Sequence, residues 1–237
     1  MIVVPVTSVI DGDVLNQSVS LESLKRLLNP LDQSALAMAM QSGFVHPKHT
    51  VEVVHVGRDE TLLRSALALG GQGATLIESS CDQPIQIAQV LAEWIKQQAS
   101  VEAVIMGQYG ADYASGQVGP MLAGLLDWPQ ATAVIHLEGS NSQQYCAHQL
   151  TDQGVQPVEL TVPYVITTAL SSKALPHPTV VDIIRSQSEL IKRYIPNEAS
   201  PPIQINEREI HRSSHRKCIK VHSADELIKA LARASML

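Results

Sequence analysis

The run VEVVHVGRDETLLRSALALGGQGATLIE, Val51 to Glu78, opens as one β-branched strand, Val51–Val56, and closes as another, Ala74–Glu78. Between them, Arg58–Gly70 carries an acidic first turn and a terminal glycine, the two boundary signals of a helix. Strand, helix and strand in that order predict a parallel sheet with helices packed against it. Working outward, the same alternation continues on both sides. Upstream, IVVPV (Ile2–Val6) reads as the first strand, with Pro5 where one backbone donor is dispensable. NPLDQSALAMAMQS (Asn29–Ser42) reads as a helix with proline near its start, and its Met-rich centre, Leu36–Met40, as helix core. Downstream, Gln83–Ala99 places Ile87, Val90, Leu91, Trp94 and Ile95 at helical spacing, and EAVIMG (Glu102–Gly107) follows as a further strand. The expected fold class is α/β: a mostly parallel sheet with helices on both faces.

Beyond residue 135 the pattern changes. Ala133–Gly139, Gln143–Leu150, Val155–Val162 and Tyr164–Leu170 read as strands separated by short polar turns, Glu138–Gln143 and Thr151–Gly154 being hairpin connections. These strands are expected to extend the sheet in mixed or antiparallel fashion. Ile195–Lys217 is polar and proline-rich without periodicity, and reads as an extended arm. The chain closes on His222–Ala234, where Ser223 can cap a helix striped by Leu227, Ile228 and Leu231. That helix either packs back on its own domain or docks on another subunit. The expected division is a nucleotide-binding domain over 1–194 and an arm with its helix over 195–237.

Composition narrows the function. With 237 residues, 45% hydrophobic and 17% charged, the chain is long enough for a sizeable core. Aromatics are few (two Trp, five Tyr, one Phe), so that core rests on aliphatic side chains. A net charge of −6 and the lack of a basic stripe argue against a nucleic-acid partner. Cys81, Cys146 and Cys218 are far apart, which fits neither a disulfide framework nor a zinc site and suits a reducing compartment. The apolar start is too short and uncharged for a signal peptide, and no apolar run approaches a membrane span. Cytoplasmic residence is the expectation.

In an open parallel sheet, ligands bind beyond the carboxyl ends of the strands at the point where strand order reverses. Three segments should converge there: Thr7–Asp13, Leu28–Asp32 and GQYGADYASGQVGP, Gly107–Pro120. The last offers four glycines for close backbone approach, with Tyr109, Asp112, Ser115 and Gln117 as polar side chains. It also leads into the helix GPMLAGLL, whose free N–H groups favour a phosphate. Its glycine spacing matches neither the dinucleotide fingerprint nor the P-loop. On these grounds alone it reads equally as a cradle or as a simple strand–helix connection. The nine histidines stand in no metal-binding or catalytic context, His46 and His49 read as solvated turn residues, and no G-x-S-x-G elbow occurs. No catalytic residue and no metal ligand is assigned; the expectation is a nucleotide- or cofactor-holding protein that is not an enzyme.

Several blocks also carry a family resemblance. GQVGPMLAGLLDWPQAT (Gly116–Thr132), LNPLDQSAL (Leu28–Leu36) and RSALALGGQGATLI (Arg64–Ile77) fall in order, with IVVPVTSVID at the front and VHSADELIKAL at the rear. The chain thereby resembles the beta subunit of electron transfer flavoprotein over nearly its whole length, least so in 171–215. The resemblance implies a Rossmann-like fold of the adenine nucleotide-binding type. It also implies a heterodimer with an alpha subunit that holds most of the FAD, and a buried structural AMP in this chain. Electrons would come from flavoprotein dehydrogenases and pass to a quinone oxidoreductase. A second FAD in place of AMP, as in the bifurcating branch, and a stand-alone adenine-nucleotide-binding regulatory module are the alternative readings.

Carried over residue by residue, the resemblance implies nucleotide contacts from Pro5, from Asn29, Pro30, Leu31 and Asp32, and from Val56. The main cradle would be Gly107, Gln108, Tyr109, Gly110, Ala111, Asp112, Tyr113, Ala114, Ser115, Gly116, Gln117 and Val118. Tyr113 and Ala114 replace two usual polar positions, Leu31 stands where the family has an aromatic, and Gly12 where some members place a tyrosine. The partner-recognition segment departs furthest: Ser171–Arg193 has few cations and puts Val180 at the anchor position. Dehydrogenase donors are expected to dock near Val180 and to be unusual members of their class.

Overall fold

The structure is a computed structural model that describes residues 1–10, 26–42, 49–111, 114–139, 143–170, 177–197 and 220–233. It divides into two compact units, Met1–Pro202 and Ile203–Leu237.

The first unit is built on a sheet that, among the described residues, has nine strands. β1 (Ile2–Pro5) lies near its centre, with β4 (Val51–Gly57) and β5 (Gly73–Glu78) on one side and β6 (Ala103–Gly107) on the other. β2 (Ser8–Ile10) and β3 (Arg26–Leu28) form a separate antiparallel pair beyond the end of β1. The helices α1 (Pro30–Ser42), α2 (Glu60–Ala68), α3 (Pro84–Lys96) and α4 (Val118–Leu126) connect these strands in turn. Each helix boundary has a local cause. Asp59 accepts from Thr61 N–H at 2.8 Å to start α2, and Pro84 opens α3 where its missing N–H is not needed. α4 ends on Asp127 in the left-handed region (φ 55°), and Trp128 N–H reaches back to Ala123 O at 3.1 Å. That closure normally uses glycine, and Asp is among the few other residues that tolerate it.

Alternation along each strand sorts the core into two layers. Val4, Val53, Ile105 and Ile166 face α1 and α2, where Leu36, Leu63 and Leu67 are buried. Val3, Val54, Val104 and Val165 face α3 and α4, packing on Leu91, Trp94 and Leu122. Helices therefore cover both faces, as the alternation of strands and helices predicts.

The later strands divide. β7 (Gln130–Gly139), β8 (Gln144–Thr151) and β9 (Gly154–Thr161) form an antiparallel extension at one edge, where only Leu160 of β9 is buried. β10 (Tyr164–Thr168) supplies the parallel part of the expected mixed extension, running between β6 and β7 with every residue buried. Its unbroken apolar and threonine sequence suits a position covered on both faces.

Two further elements lie in the segment expected to recognise a partner: α5 (Val180–Ser188), started by a Thr179–Asp182 capping box, and β11 (Ile191–Tyr194). β11 adds to the far edge, parallel to β5. Its cations explain the attachment. Lys192 reaches across β5 to the buried Glu52 at 3.2 Å, which also accepts from Thr75 at 2.7 Å. Arg193 pairs with Glu78 at 2.7 Å and with Glu60. Glu93 accepts from the Tyr194 hydroxyl and the Asn197 side-chain amide, both at 2.7 Å. His49, expected in a solvated turn, sits 2.8 Å from Glu102, while His46 lies outside the described residues. The arm from 198 to 219 also lies outside them.

The second unit contains α6 (Ala224–Arg233). Ser223 Oγ accepts from Glu226 N–H at 3.2 Å, and Glu226 accepts from His222 N–H at 2.8 Å, which starts the helix. Leu227 and Ile228 lie on its surface, 46% and 56% exposed.

Candidate functional site

Strand order reverses at β1: the chain goes outward to β4 and β5, then returns to lay β6 on the opposite side. The two ladders of β1 have unequal length. Pairing with β4 runs on to Pro5 opposite Val54, whereas pairing with β6 stops at Val3 opposite Val104. Ile2 and Val6 turn their N–H groups to the β4 side, onto Thr50 O at 2.9 Å and Val54 O at 2.8 Å. The donor that Pro5 lacks would therefore have faced β6, where the ladder has ended. In a doubly wound sheet this point, at the carboxyl edge, is where a ligand crevice forms.

Two side chains from the start of α1 draw the crevice walls together. Asn29 is wholly buried; its Nδ2 donates to Tyr109 O at 2.9 Å, and its Oδ1 accepts from Ala111 N–H at 3.3 Å. Its backbone N–H donates to Thr7 O at 3.1 Å, so one residue joins the end of β1 to the loop after β6. Asp32 is 3% exposed, and each of its oxygens holds one backbone N–H: Thr7 on Oδ2 at 2.7 Å and Gly107 on Oδ1 at 3.1 Å. Burial pushes its carboxyl up to about 7, against the opposing pull of those amides and of Asn29. Thr168, at the end of β10, donates its hydroxyl to Leu31 O at 3.2 Å and its carbonyl accepts from Gln108 N–H at 3.0 Å. His55 on β4 places Nδ1 2.9 Å from Val6 O, and burial holds the ring below the ordinary histidine range. A neutral imidazole with Nδ1 protonated satisfies that contact.

The loop from β6 to α4 supplies donors. Ala114 and Gly116 adopt φ of 50° and 62°, and Gln117 returns to −90° at the start of α4. Successive backbone N–H groups on alternating φ form a concave anion-binding nest. At the helix start, Val118 and Gly119 present N–H groups with no partner inside the helix, and Pro120 in the same turn has none to lose. The helix dipole adds partial positive charge at this end. Gly119 also lets α4 sit tightly on β10: a Cβ there would fall 2.3 Å from Thr167 Cγ2. The arrangement suits a phosphate held by backbone N–H groups.

The structure thus brings Pro5, Asn29–Asp32, Val56, Gly107–Ala111 and Ala114–Val118 to one edge of the sheet. Asp112 and Tyr113 lie outside the described residues. The side chains of Asn29 and Asp32 are committed to backbone groups, and Leu31 is 6% exposed. Thr7, the first residue of the expected Thr7–Asp13 segment, joins the site through its backbone, whereas His55 and Thr168 join it without having been singled out from the sequence. His55 hides in the strand VEVVHV and Thr168 in YVITT, where strand periodicity says nothing of end contacts. Val180 is in α5, 71% exposed, on the element that Arg64 of α2 ties down through Ser186 O at 2.7 Å. Among the described residues, no group of three His, Cys, Asp or Glu side chains is placed to hold a metal ion, and no helix is long and apolar enough to cross a membrane.

The family model of the electron transfer flavoprotein domain matches residues 18–184. The electron transfer flavoprotein subunit beta of Bacillus subtilis is 33% identical over 171 residues, covering 69% of this chain and 65% of that protein. The mitochondrial subunit beta of Oryza sativa subsp. indica is 29% identical, covering 88% of this chain and 86% of its own. A probable subunit beta from Saccharomyces cerevisiae is 27% identical and covers 97% and 95%. With a model spanning most of the chain and relatives aligned almost end to end, the chain belongs to the electron transfer flavoprotein family, as a beta subunit.

Proposed function

We propose that this beta subunit pairs with an alpha subunit, holds a structural AMP in the crevice, and helps enclose an FAD carried mainly by the alpha subunit. Electrons arrive from flavoprotein dehydrogenases docking near Val180 and leave toward a quinone oxidoreductase. The observation that carries the reading is the clamp formed by Asn29 and Asp32, which gathers the loops after β1 and β6 beside the start of α4. FAD supplies the electron-carrying chemistry when bound; the residues of this chain bind, orient and enclose. For the AMP, that means a phosphate on the N–H groups of Gln117, Val118 and Gly119, with Ala114 and Gly116 bending the loop around it. α6, with its exposed apolar stripe, is the segment that docks on the alpha subunit, and the exposed Val180, Val181 and Ile184 of α5 meet the donor.

Co-expression with the alpha subunit should give a yellow heterodimer containing one FAD and one AMP, read by absorbance and by analysis of nucleotides released on denaturation. Two flavins would instead identify the bifurcating arrangement. A colourless chain that ignores the alpha subunit would defeat the proposal. Val180→Asp should slow reduction by the donor dehydrogenase about tenfold, because a charge enters an apolar contact, and should leave the nucleotide content unchanged. Unaltered stopped-flow reduction of the variant would remove α5 from the docking surface.

A further inference from the structure

Asp32 is the sole ionisable residue of α1, and both its oxygens are already in use within the fold. Thr7 N–H and Gly107 N–H belong to the two loops that wall the crevice, and each has its own carboxylate oxygen. A carboxylate can accept on both oxygens equally; a neutral carboxylic acid offers one good acceptor, and its O–H is a donor. A proton added to either oxygen therefore confronts an N–H already there. We propose that Asp32 is a positioning residue for the nucleotide cradle: ionised, it clamps the end of β1 to the end of β6, and on taking up a proton it lets one wall go, so that the grip on the nucleotide weakens. The inference rests on the reading of the crevice as a nucleotide site.

Burial brings the carboxyl of Asp32 up to about 7, so the switch falls within the pH range of a cell. The surroundings supply few competitors. Among the described residues, β1 and β10 bring no ionisable group to this end of the sheet, and β6 brings none at all. Tyr109 follows β6 and is 38% exposed. Arg26 on β3 donates to Ser8 Oγ at 3.2 Å. From β4 comes His55, already on Val6 O and held by burial below the ordinary histidine range, with Asp59 acting on it from beyond the strand.

The test is amide hydrogen exchange on the full chain co-purified with its alpha subunit, at pH 8 and pH 6, corrected for the intrinsic pH dependence of exchange. Protection of Thr7 and of Gly107 should fall about tenfold at pH 6, following the protonated fraction, while amides of α3 stay constant. Asp32→Asn should show no such difference between the two pH values. Affinity for added AMP after the bound nucleotide is stripped should weaken about tenfold over the same interval in the native protein, and stay level in the variant. Adenosine, run beside it, separates the effect from titration of the phosphate itself. Equal protection of Thr7 and Gly107 at both pH values in the native protein overturns the inference, even if the variant fails to fold. AMP that binds at neither pH defeats the nucleotide reading instead, and the amide protection still decides the role of Asp32.

Discussion

Gly107→Ala should weaken the fold by roughly 2–3 kcal/mol and, on the proposed function, lower the AMP content of the heterodimer. A Cβ at the end of β6 would lie 2.3 Å from Asp32 Oδ1, 2.9 Å from Leu31 Cβ and 3.0 Å from Asp32 N. The first contact could relax by rotating the carboxylate, at the expense of the Gly107 N–H bond at 3.1 Å. The other two cannot swing aside, since Leu31 Cβ and Asp32 N are carried by the backbone of α1. The whole first turn must retreat, taking with it Asn29 and its bonds to Tyr109 O and Ala111 N–H. Urea denaturation and AMP content of the heterodimer read the two effects. Gly124→Ala is the control: it lies within α4 with nothing inside 4 Å of the added carbon, so it should stabilise by about 0.5–1 kcal/mol. Normal stability and full AMP in Gly107→Ala would show that α1 is not pressed on β6 as described.

Asp32→Asn should gain on the native protein in thermal stability as pH rises from about 4.5 to about 8, by several degrees. Folding raises the carboxyl of Asp32 from 3.8 to about 7, so between those values the folded state binds the extra proton. Stability from this group is therefore complete below the unfolded value and is lost as pH rises through the folded one. Its size is a few kcal/mol, each pH unit being worth about 1.4, and about 2–4 °C per kcal/mol is expected for a chain of this size. Asparagine cannot ionise and so escapes the loss. It sets an NH₂ group against one of the two backbone N–H groups at every pH, a constant penalty that cancels when the two pH values are compared. Differential scanning calorimetry of both proteins at the two pH values is the measurement. A gap between them that does not move with pH would mean that Asp32 is not buried as a charge. Ionised Asp32 thus costs fold stability while it holds the cradle together, a familiar compromise at binding sites.

Part of the site was legible in the sequence. The loop Gly107–Val118 and the start of α1 could be brought to one edge because a strand followed by a helix always delivers its connecting loop to the carboxyl end of a parallel sheet. Less legible was what each residue does there. Asn29 and Asp32 were expected to line the site, and the sequence did not show that their side-chain atoms bond the backbone of Thr7, Gly107, Tyr109 and Ala111. Those bonds span between 25 and 82 positions of sequence, and nothing local encodes such a bond. His55 and Thr168 went unnoticed for the same reason: their polar atoms answer carbonyls of other segments.

By itself, the sequence determined that Val51–Glu78 is strand, helix and strand, that helices flank the sheet on both faces, and that Ser223 starts the last helix. Period, capping and β-branching act over a few residues and need no distant partner. Only the tertiary structure decided that β10 enters beside β6 rather than extending the antiparallel edge, and that β11 closes the opposite one on Lys192 and Arg193. Only it decided, too, that Pro5 stands where the ladder to β6 has run out. Which strand lies beside which is settled by pairing and burial across the whole chain. A buried strand has the same two-residue period whichever neighbours it acquires.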